Sequence, residues 1–222
     1  MTNTLEQEPL AGLLTELHRK ARRELPHLAV SMLKLMAPRL IGRPVTAEDQ
    51  SRIFQKAFIS LGPDAGRFAY TTARLIGART IVEFGMSFGI STLYLAAAVR
   101  DNGGGWVVTT ELDAGKCRVA AGHFARAGLA DVIKVRQGDG LETLRHGPEA
   151  IDMVLLDGWK ERYLDVLRLL EPRLRRGGVV LADNIHMFKR TLAPYVAHVQ
   201  RGGDYVSSTL PLGSGLEYSV RI

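Results

Sequence analysis

The chain has 222 residues, of which 46% are hydrophobic and 23% charged, a composition ordinary for one globular domain. Its single cysteine, Cys117, excludes an intramolecular disulfide, and no apolar run approaches the ~20 residues that a membrane-spanning helix needs. The net charge of +6 permits an acidic partner, yet no basic cluster is interleaved with aromatic side chains, so nucleic acid is the less favoured partner. Because the first residues also lack signal-peptide features, we expect a cytoplasmic protein that does not bind membranes.

The first 60 residues have the pattern of helices. A second helical segment around residues 28–40 is expected to end at Pro38 and Gly42, and Thr46 has the chemistry of an N-cap for a third. The first segment carries an apolar stripe made of Leu5, Leu10, Leu13, Leu14 and Leu17.

Strands and helices alternate through the remaining chain. Helices are expected at about 64–77, 90–100, 114–127, 160–175 and 188–200. Nearly continuous aliphatic runs predict strands buried on both faces of a parallel sheet, at 80–85, 106–111, 132–137, 151–157 and 178–183.

The last segment has a different pattern. Tyr205–Leu212 and Leu216–Ile222 flank a glycine-containing turn and predict an antiparallel hairpin. The fold class is therefore predicted to be α/β, with five parallel β/α units and a C-terminal hairpin in one seven-stranded, Rossmann-like sheet. We expect residues 1–60 to be a helical extension that covers the site or joins a dimer, and residues 61–222 to be the main domain.

Two of the predicted strands end in acids that lie 26 residues apart, Asp157 and Asp183. In open α/β folds, ligands bind beyond the carboxyl ends of the strands, so these acids and Asn184 should lie around one point. Three hard oxygen ligands suit Mg²⁺ or another divalent cation. Lys160, three residues after the first acid, could then serve as a base. Asp157 as a loop cap and the Asp183–Asn184 pair as a plain turn are the alternatives.

A glycine-containing loop follows the first predicted strand. Gly85 and Gly89 would let the backbone turn tightly and approach a ligand, although a plain β-to-α turn is an equal alternative. Glu111 ends the second predicted strand, where an acid can accept hydrogen bonds from a ribose diol. Asp139 follows the third strand and could border an adenine or cap the next helix. The loop lacks both the dinucleotide fingerprint and a phosphate-binding lysine, which argues against NAD and ATP.

Together these motifs resemble the class I S-adenosylmethionine-dependent methyltransferases, and more narrowly the metal-dependent O-methyltransferases of the catechol and caffeoyl-CoA type. The resemblance covers about residues 60–222, and the ordered pair of strand-end motifs is its most specific part. It rests on GPDAGRF (62–68), VEFGMSFGIS (82–91), TTELD (109–113), QGDG (137–140), LLDGWKERY (155–163) and LADN (181–184).

The resemblance implies a role for each matching residue. Lys160 would be the general base, and Asp157, Asp183 and Asn184 would bind Mg²⁺ or another divalent cation. S-adenosylmethionine would contact Leu61, Glu83, Gly85, Ser87, Gly89, Ser91, Glu111, Gly138, Asp139, Asp157 and Trp159.

The resemblance also leaves more than one function open. Methyl transfer to a catechol-like small molecule is the first hypothesis, and methylation of a hydroxylated wobble uridine in tRNA is the alternative, which strong salt dependence would support. A non-catalytic binding module is disfavoured because a pure binder needs neither the metal ligands nor Lys160. A dehydrogenase is disfavoured by the missing fingerprint. A homodimer is expected, as is common among bacterial members of the family.

Overall fold

The computed structural model describes residues 3–40, 46, 49, 52, 53 and 61–222. Its helices are α1 (Leu10–Arg23), α2 (Leu25–Leu40), α3 (Pro63–Leu75), α4 (Ile90–Asp101), α5 (Ala114–Arg126), α6 (Gly140–Thr143), α7 (Tyr163–Leu170) and α8 (Lys189–Arg201). Its strands are β1 (Thr80–Phe84), β2 (Trp106–Glu111), β3 (Ile133–Gln137), β4 (Ile151–Leu156), β5 (Leu174–Ala182), β6 (Tyr205–Leu210) and β7 (Leu216–Arg221).

The strands form one sheet in the order β3-β2-β1-β4-β5-β7-β6. Strands β1 to β5 pair in parallel, whereas β7 is antiparallel to both of its neighbours. This topology confirms the predicted fold class. Because the chain order reverses between β1 and β4, their carboxyl ends border the crevice where ligands bind in open α/β sheets.

Helices cover both faces of the sheet, which explains why the central strands are aliphatic throughout. In β1, Ile81 packs into one core and Val82 into the other, and both are fully buried. The first core also contains the four leucines of α1 (Leu10, Leu13, Leu14 and Leu17), so this stripe packs on the domain itself. Nothing in this packing tests the predicted boundary at residue 60. Among the described residues, no helix is long and apolar enough to cross a membrane.

The predicted helix at 160–175 is wrong in extent. A 3₁₀ turn occupies Lys160–Arg162, α7 ends at Leu170, and β5 begins at Leu174 rather than at 178. A second 3₁₀ turn, Glu171–Arg173, follows α7 and contains Pro172, which has no backbone N–H with which to continue the α-helical hydrogen bonding. Leu174 then pairs with Ile151 of β4, which lengthens the strand.

Two predictions in the first 60 residues can be compared with the structure. Helix α2 spans Leu25–Leu40, which confirms the predicted segment around residues 28–40, and Pro38 lies inside the helix rather than ending it. The N-cap chemistry at Thr46 is confirmed. The Thr46 hydroxyl accepts from the backbone N–H of Asp49 at 3.1 Å, and the Asp49 carboxylate accepts from the backbone N–H of Thr46 at 3.3 Å. Gly42 lies outside the described residues.

Candidate active site

The two strand-end acids lie side by side at the carboxyl edge of the sheet. The backbone N–H of Asp157 donates to the carbonyl of Phe84 at 2.9 Å, and that of Asp183 donates to the carbonyl of Leu156 at 3.0 Å. The strand ladders therefore continue one residue beyond β4 and β5. Because the backbone of each acid is held by the neighbouring strand, the sheet itself sets their spacing.

Lys160 lies directly against the first of these acids. It begins the 3₁₀ turn that follows β4, and its Nζ is 3.3 Å from Asp157 Oδ1. The two side chains are only 11% and 5% exposed. An ion pair this well buried is costly to leave incomplete, so Lys160 and Asp157 depend on each other.

Burial controls the protonation of both acids. Burial raises the pKa of Asp157 to about 7; Lys160 opposes this shift and the neighbouring Asp183 adds to it. Burial likewise raises the pKa of Asp183, against the opposing effects of Lys160 and Asn184. When Asp157 and Asp183 are both ionised, the single ammonium group of Lys160 faces two carboxylates in a place that bulk water does not reach. Such a site favours a further cation.

Asn184 completes a donor set that fits a divalent cation. Its backbone φ is +69°, a left-handed conformation that asparagine tolerates better than most residues, and it hydrogen-bonds Asp183 through both its backbone and its side chain. Two carboxylates and one amide are hard oxygen donors of the kind that Mg²⁺ prefers. Among the described residues, no three His, Cys, Asp or Glu side chains cluster as a metal site, so a cation held by these two acids would need the amide as its third protein ligand.

The predicted glycine loop wraps around the start of α4. Gly85, Ser87 and Gly89 have φ values of +99°, +51° and +85°, so three left-handed residues within five positions turn the chain from β1 into the helix. Gly89 is the N-cap of α4 and supplies no side-chain cap. The first N–H groups of the helix are thus available to an anionic group such as a carboxylate. Ser91 lies in this first turn and is buried.

Glu111 ties the glycine loop to the end of β2. One of its carboxylate oxygens accepts from the backbone N–H of Ser87 at 2.9 Å, and the other accepts from that of Asp113 at 2.9 Å. The carboxylate is half-buried at this edge, where the sequence predicted a ribose contact. Each oxygen retains a second lone pair, which leaves capacity for a ligand hydroxyl.

Glu83 lies fully buried beneath the loop. Its Oε2 accepts from the hydroxyls of Thr92 and Thr109, both at 2.5 Å, while its Oε1 has no partner among the described residues. Burial raises the pKa of Glu83, and the hydroxyls of Ser91, Thr109 and Thr92 oppose that shift. The Ser87 Oγ is buried as well, and no described residue is its hydrogen-bond partner. A hydroxyl in the glycine loop and a carboxylate oxygen in the strand beneath it, both without a partner in the described part of the chain, fit the presence of a polar ligand.

The remaining predicted site residues flank this edge. Gly138 has a φ of +133°, and its N–H donates to the carbonyl of Glu111 at 2.9 Å, which joins the ends of β2 and β3. Asp139 caps α6 by accepting from the N–H of Leu141 at 2.9 Å, so the helix-cap interpretation is confirmed. Trp159 lies immediately before the 3₁₀ turn of Lys160. Leu61 is buried just before α3. Their contacts with a cofactor stay predictions.

Sequence reasoning missed Tyr163, which contacts Lys160. Its Oη is 2.8 Å from Lys160 Nζ, and its side chain is fully buried at the start of α7. Burial, together with the two nearby aspartates, raises the pKa of Tyr163 well above its usual range. The available signal was its position three residues after Lys160, a spacing that places side chains on one face of a helical turn.

The sequence of this chain resembles those of known methyltransferases. The model of a methyltransferase domain family matches residues 82–185, a segment that contains the glycine loop, Glu111 and both strand-end acids. The chain is 31% identical over 131 residues to a catechol O-methyltransferase of Niastella koreensis, covering 57% of this chain and 58% of the relative. It is 35% identical over 130 residues to a catechol O-methyltransferase of Mycobacterium tuberculosis, covering 57% of each. The matched segment thus spans less than two thirds of these relatives.

A solved structure extends the likeness over the whole fold. The O-methyltransferase from Bacillus cereus, crystallised with SAH, superposes with a TM-score of 0.71 and covers 98% of this chain and 95% of its own. At 21% identity this likeness shows the fold alone.

Proposed function

We propose that the chain is a class I S-adenosylmethionine-dependent O-methyltransferase of the catechol and caffeoyl-CoA type, and that it methylates a hydroxyl of a catechol-like small molecule. One observation carries the proposal. Lys160 and Asp157 form a buried pair beside Asp183, at the edge where the glycine loop also ends. The substrate class draws its support from the names of the relatives.

The loop after β1 and the ends of β2 and β3 hold S-adenosylmethionine, which supplies the methyl group. The glycine loop and Ser91 receive the methionine end, because the start of α4 presents free N–H groups to its carboxylate. Glu111 accepts from the ribose hydroxyls with its remaining lone pairs. Gly138 and Asp139 border the adenine. Leu61, Glu83, Ser87 and Trp159 line the same pocket in this proposal.

Asp157, Asp183 and Asn184 would hold Mg²⁺ or a similar cation. When bound there, the cation supplies Lewis acidity that favours ionisation of a phenol hydroxyl, whose free pKa lies near 10. The chain's own part is to position groups and accept a proton. Lys160 Nζ, in its neutral amine form, receives the proton of the acceptor hydroxyl, and its low exposure keeps bulk water from competing.

Two further hypotheses from the sequence concern a tRNA acceptor and the division of the chain at residue 60. Methylation of tRNA is not proposed, because the matched relatives are named for catechol and caffeoyl-CoA acceptors. We keep the proposals that residues 1–60 form a lid or a dimer interface and that residues 61–222 form the methyltransferase domain.

The test is methyl transfer from labelled S-adenosylmethionine to a panel of catechols, with Mg²⁺ and then with EDTA. Wild type is compared with Asp157→Asn, which removes one charge at constant size. Asp165→Asn, on the exposed side of α7, is the matched control. We expect metal-dependent transfer by wild type and the control, and loss of transfer in Asp157→Asn.

Two further measurements separate the parts of the proposal. Calorimetry with S-adenosylmethionine reports cofactor binding independently of the acceptor, and a thermal shift on adding Mg²⁺ reports metal binding independently of activity. Binding of the cofactor without transfer to any catechol would reject the acceptor class. No binding of S-adenosylmethionine would reject the function itself.

A further inference from the structure

Tyr163 connects the lysine of the candidate site to the strand that carries Asp183. Its Oη is 2.8 Å from Lys160 Nζ and 3.3 Å from the backbone carbonyl oxygen of Asp183. Because a carbonyl can only accept, the tyrosine hydroxyl donates its proton there and its oxygen accepts from Lys160. We propose that Tyr163 is a positioning residue, which holds Lys160 Nζ beside the strand-end acids. This inference rests on the proposed function of Lys160.

The tyrosine is rigid, which suits it to this role. Its side chain is fully buried, and its ring makes edge-to-face contacts with Phe84 at 6.5 Å and with Tyr195 at 5.8 Å between centroids. These contacts come from β1 and α8, so elements on two sides fix the ring. Its backbone is fixed as well, because Tyr163 begins α7. The hydroxyl therefore has little freedom to move away from Lys160.

The side chain of Lys160, in contrast to the fixed ring of Tyr163, can adopt many conformations. Its long, flexible stem loses much rotamer freedom when its tip is held in one place. Asp157 alone gives one contact at 3.3 Å, which leaves the direction of Nζ loosely defined. The second contact at 2.8 Å supplies a fixed acceptor on another element. Misplacing a reacting group by about 1 Å can cost about 100-fold in rate, so the hydroxyl should matter for turnover.

The decisive variant is Tyr163→Phe, which keeps the ring and its packing and removes only the Oη. Tyr195→Phe is the matched control, because it removes a hydroxyl from the neighbouring buried tyrosine, which has no hydrogen bond to Lys160. For Tyr163→Phe we expect kcat to fall by about 10- to 100-fold, the effect of misplacing a reacting group by up to about 1 Å. The affinity for S-adenosylmethionine and the KM of the acceptor should stay near wild type. Tyr195→Phe should leave kcat near wild type.

Two experiments show whether Tyr163 acts through Lys160. In a Lys160→Met background, adding Tyr163→Phe should cause no further loss of kcat, because coupled residues are not additive. In protein labelled with ¹⁵N-lysine, the side-chain resonance of Lys160, assigned with Lys160→Arg, should shift and exchange its protons faster in Tyr163→Phe. The same resonance should be unchanged in Tyr195→Phe.

The outcomes separate this inference from the proposed function. Wild-type kcat in Tyr163→Phe would overturn the inference, as would equal losses in the two tyrosine variants, since those would assign the hydroxyl to packing. If wild type transfers no methyl group, the proposed function fails. In that case the Lys160 side-chain resonance decides whether Tyr163 holds the lysine. An unchanged resonance in Tyr163→Phe would overturn the proposed contact as well.

Discussion

A Cβ on Gly85 would lie 2.4 Å from both the N and the Cα of Gly158. The turn after β1 and the turn after β4 therefore pack backbone against backbone, at the point where the strand order reverses. Gly158 in turn has no room for a side chain, because its own Cβ would lie 2.5 Å from the ring of Phe84. This contact places the glycine loop directly against the residue that follows Asp157.

We expect Gly85→Ala to destabilise the protein by more than the strain of a positive φ alone, because the added Cβ would collide with the backbone of Gly158. Gly77→Ala is the control, because Gly77 also has a positive φ, +61°, but has open space around its Cβ position. The control should lose about 1 kcal/mol of unfolding free energy, the cost of a left-handed alanine. Gly85→Ala should lose more, and its affinity for S-adenosylmethionine should fall. Chemical denaturation and calorimetry measure the two effects, and equal losses in the two variants would contradict the close contact.

Lys160→Met should lower kcat by about 10²- to 10⁴-fold, the usual contribution of a general base. The affinity for S-adenosylmethionine should change little, because the lysine is assigned to the acceptor's proton and not to the cofactor. Lys189→Met, at the exposed start of α8, is the control. Steady-state kinetics and calorimetry check this prediction. A kcat within a few-fold of wild type would remove Lys160 from the mechanism.

Glu111→Gln should weaken the binding of S-adenosylmethionine by about 10-fold, since a charged acceptor is replaced by a neutral one. The glutamine also keeps only one of the two oxygens that now accept from Ser87 and Asp113. Glu142→Gln is the control, because Glu142 is exposed and pairs only with Arg145 among the described residues. Calorimetric titration measures both. Unchanged affinity in Glu111→Gln would argue against a ribose contact.

Asp152 gives a prediction about pH at the opposite edge of the sheet. Burial would raise its pKa, but the N–H groups of Arg79 and Thr80 and the guanidinium of Arg175 outweigh this and lower it below its usual value of 3.8. A lowered pKa in the folded protein means that the stabilisation is present above pH 3.8 and is lost as the pH falls through the folded pKa.

Asp152→Asn should therefore cost about 1 kcal/mol of unfolding free energy at pH 7, the scale of a partly screened charge-assisted hydrogen bond. The difference from wild type should shrink as the pH falls below about 4. Denaturant unfolding at several pH values measures it. Asp131→Asn, which breaks the exposed pair with Arg100, should cost less at every pH. A difference that grows on acidification would contradict the lowered pKa.

Much of the fold could be predicted because its signals are local. Aliphatic runs that end in Asp157 and Asp183 mark strands buried on both faces, and Gly85 and Gly89 mark a turn that only unusual φ values allow. The start of β5 could not be predicted in the same way. Its first residues include two arginines and two glycines, and Leu174 becomes a strand residue only by pairing with Ile151 of β4.

By itself, the sequence determined the α/β class, the order of the strands along the chain and the acids that end them, because periodicity and turn chemistry are properties of neighbouring residues. Only the tertiary structure decided that Gly85 touches Gly158 and that Tyr163 bonds Lys160. It also decided that burial raises the pKa of Asp157 to about 7. These properties depend on burial and on contacts among side chains from different strands and helices, which no local pattern of residues records.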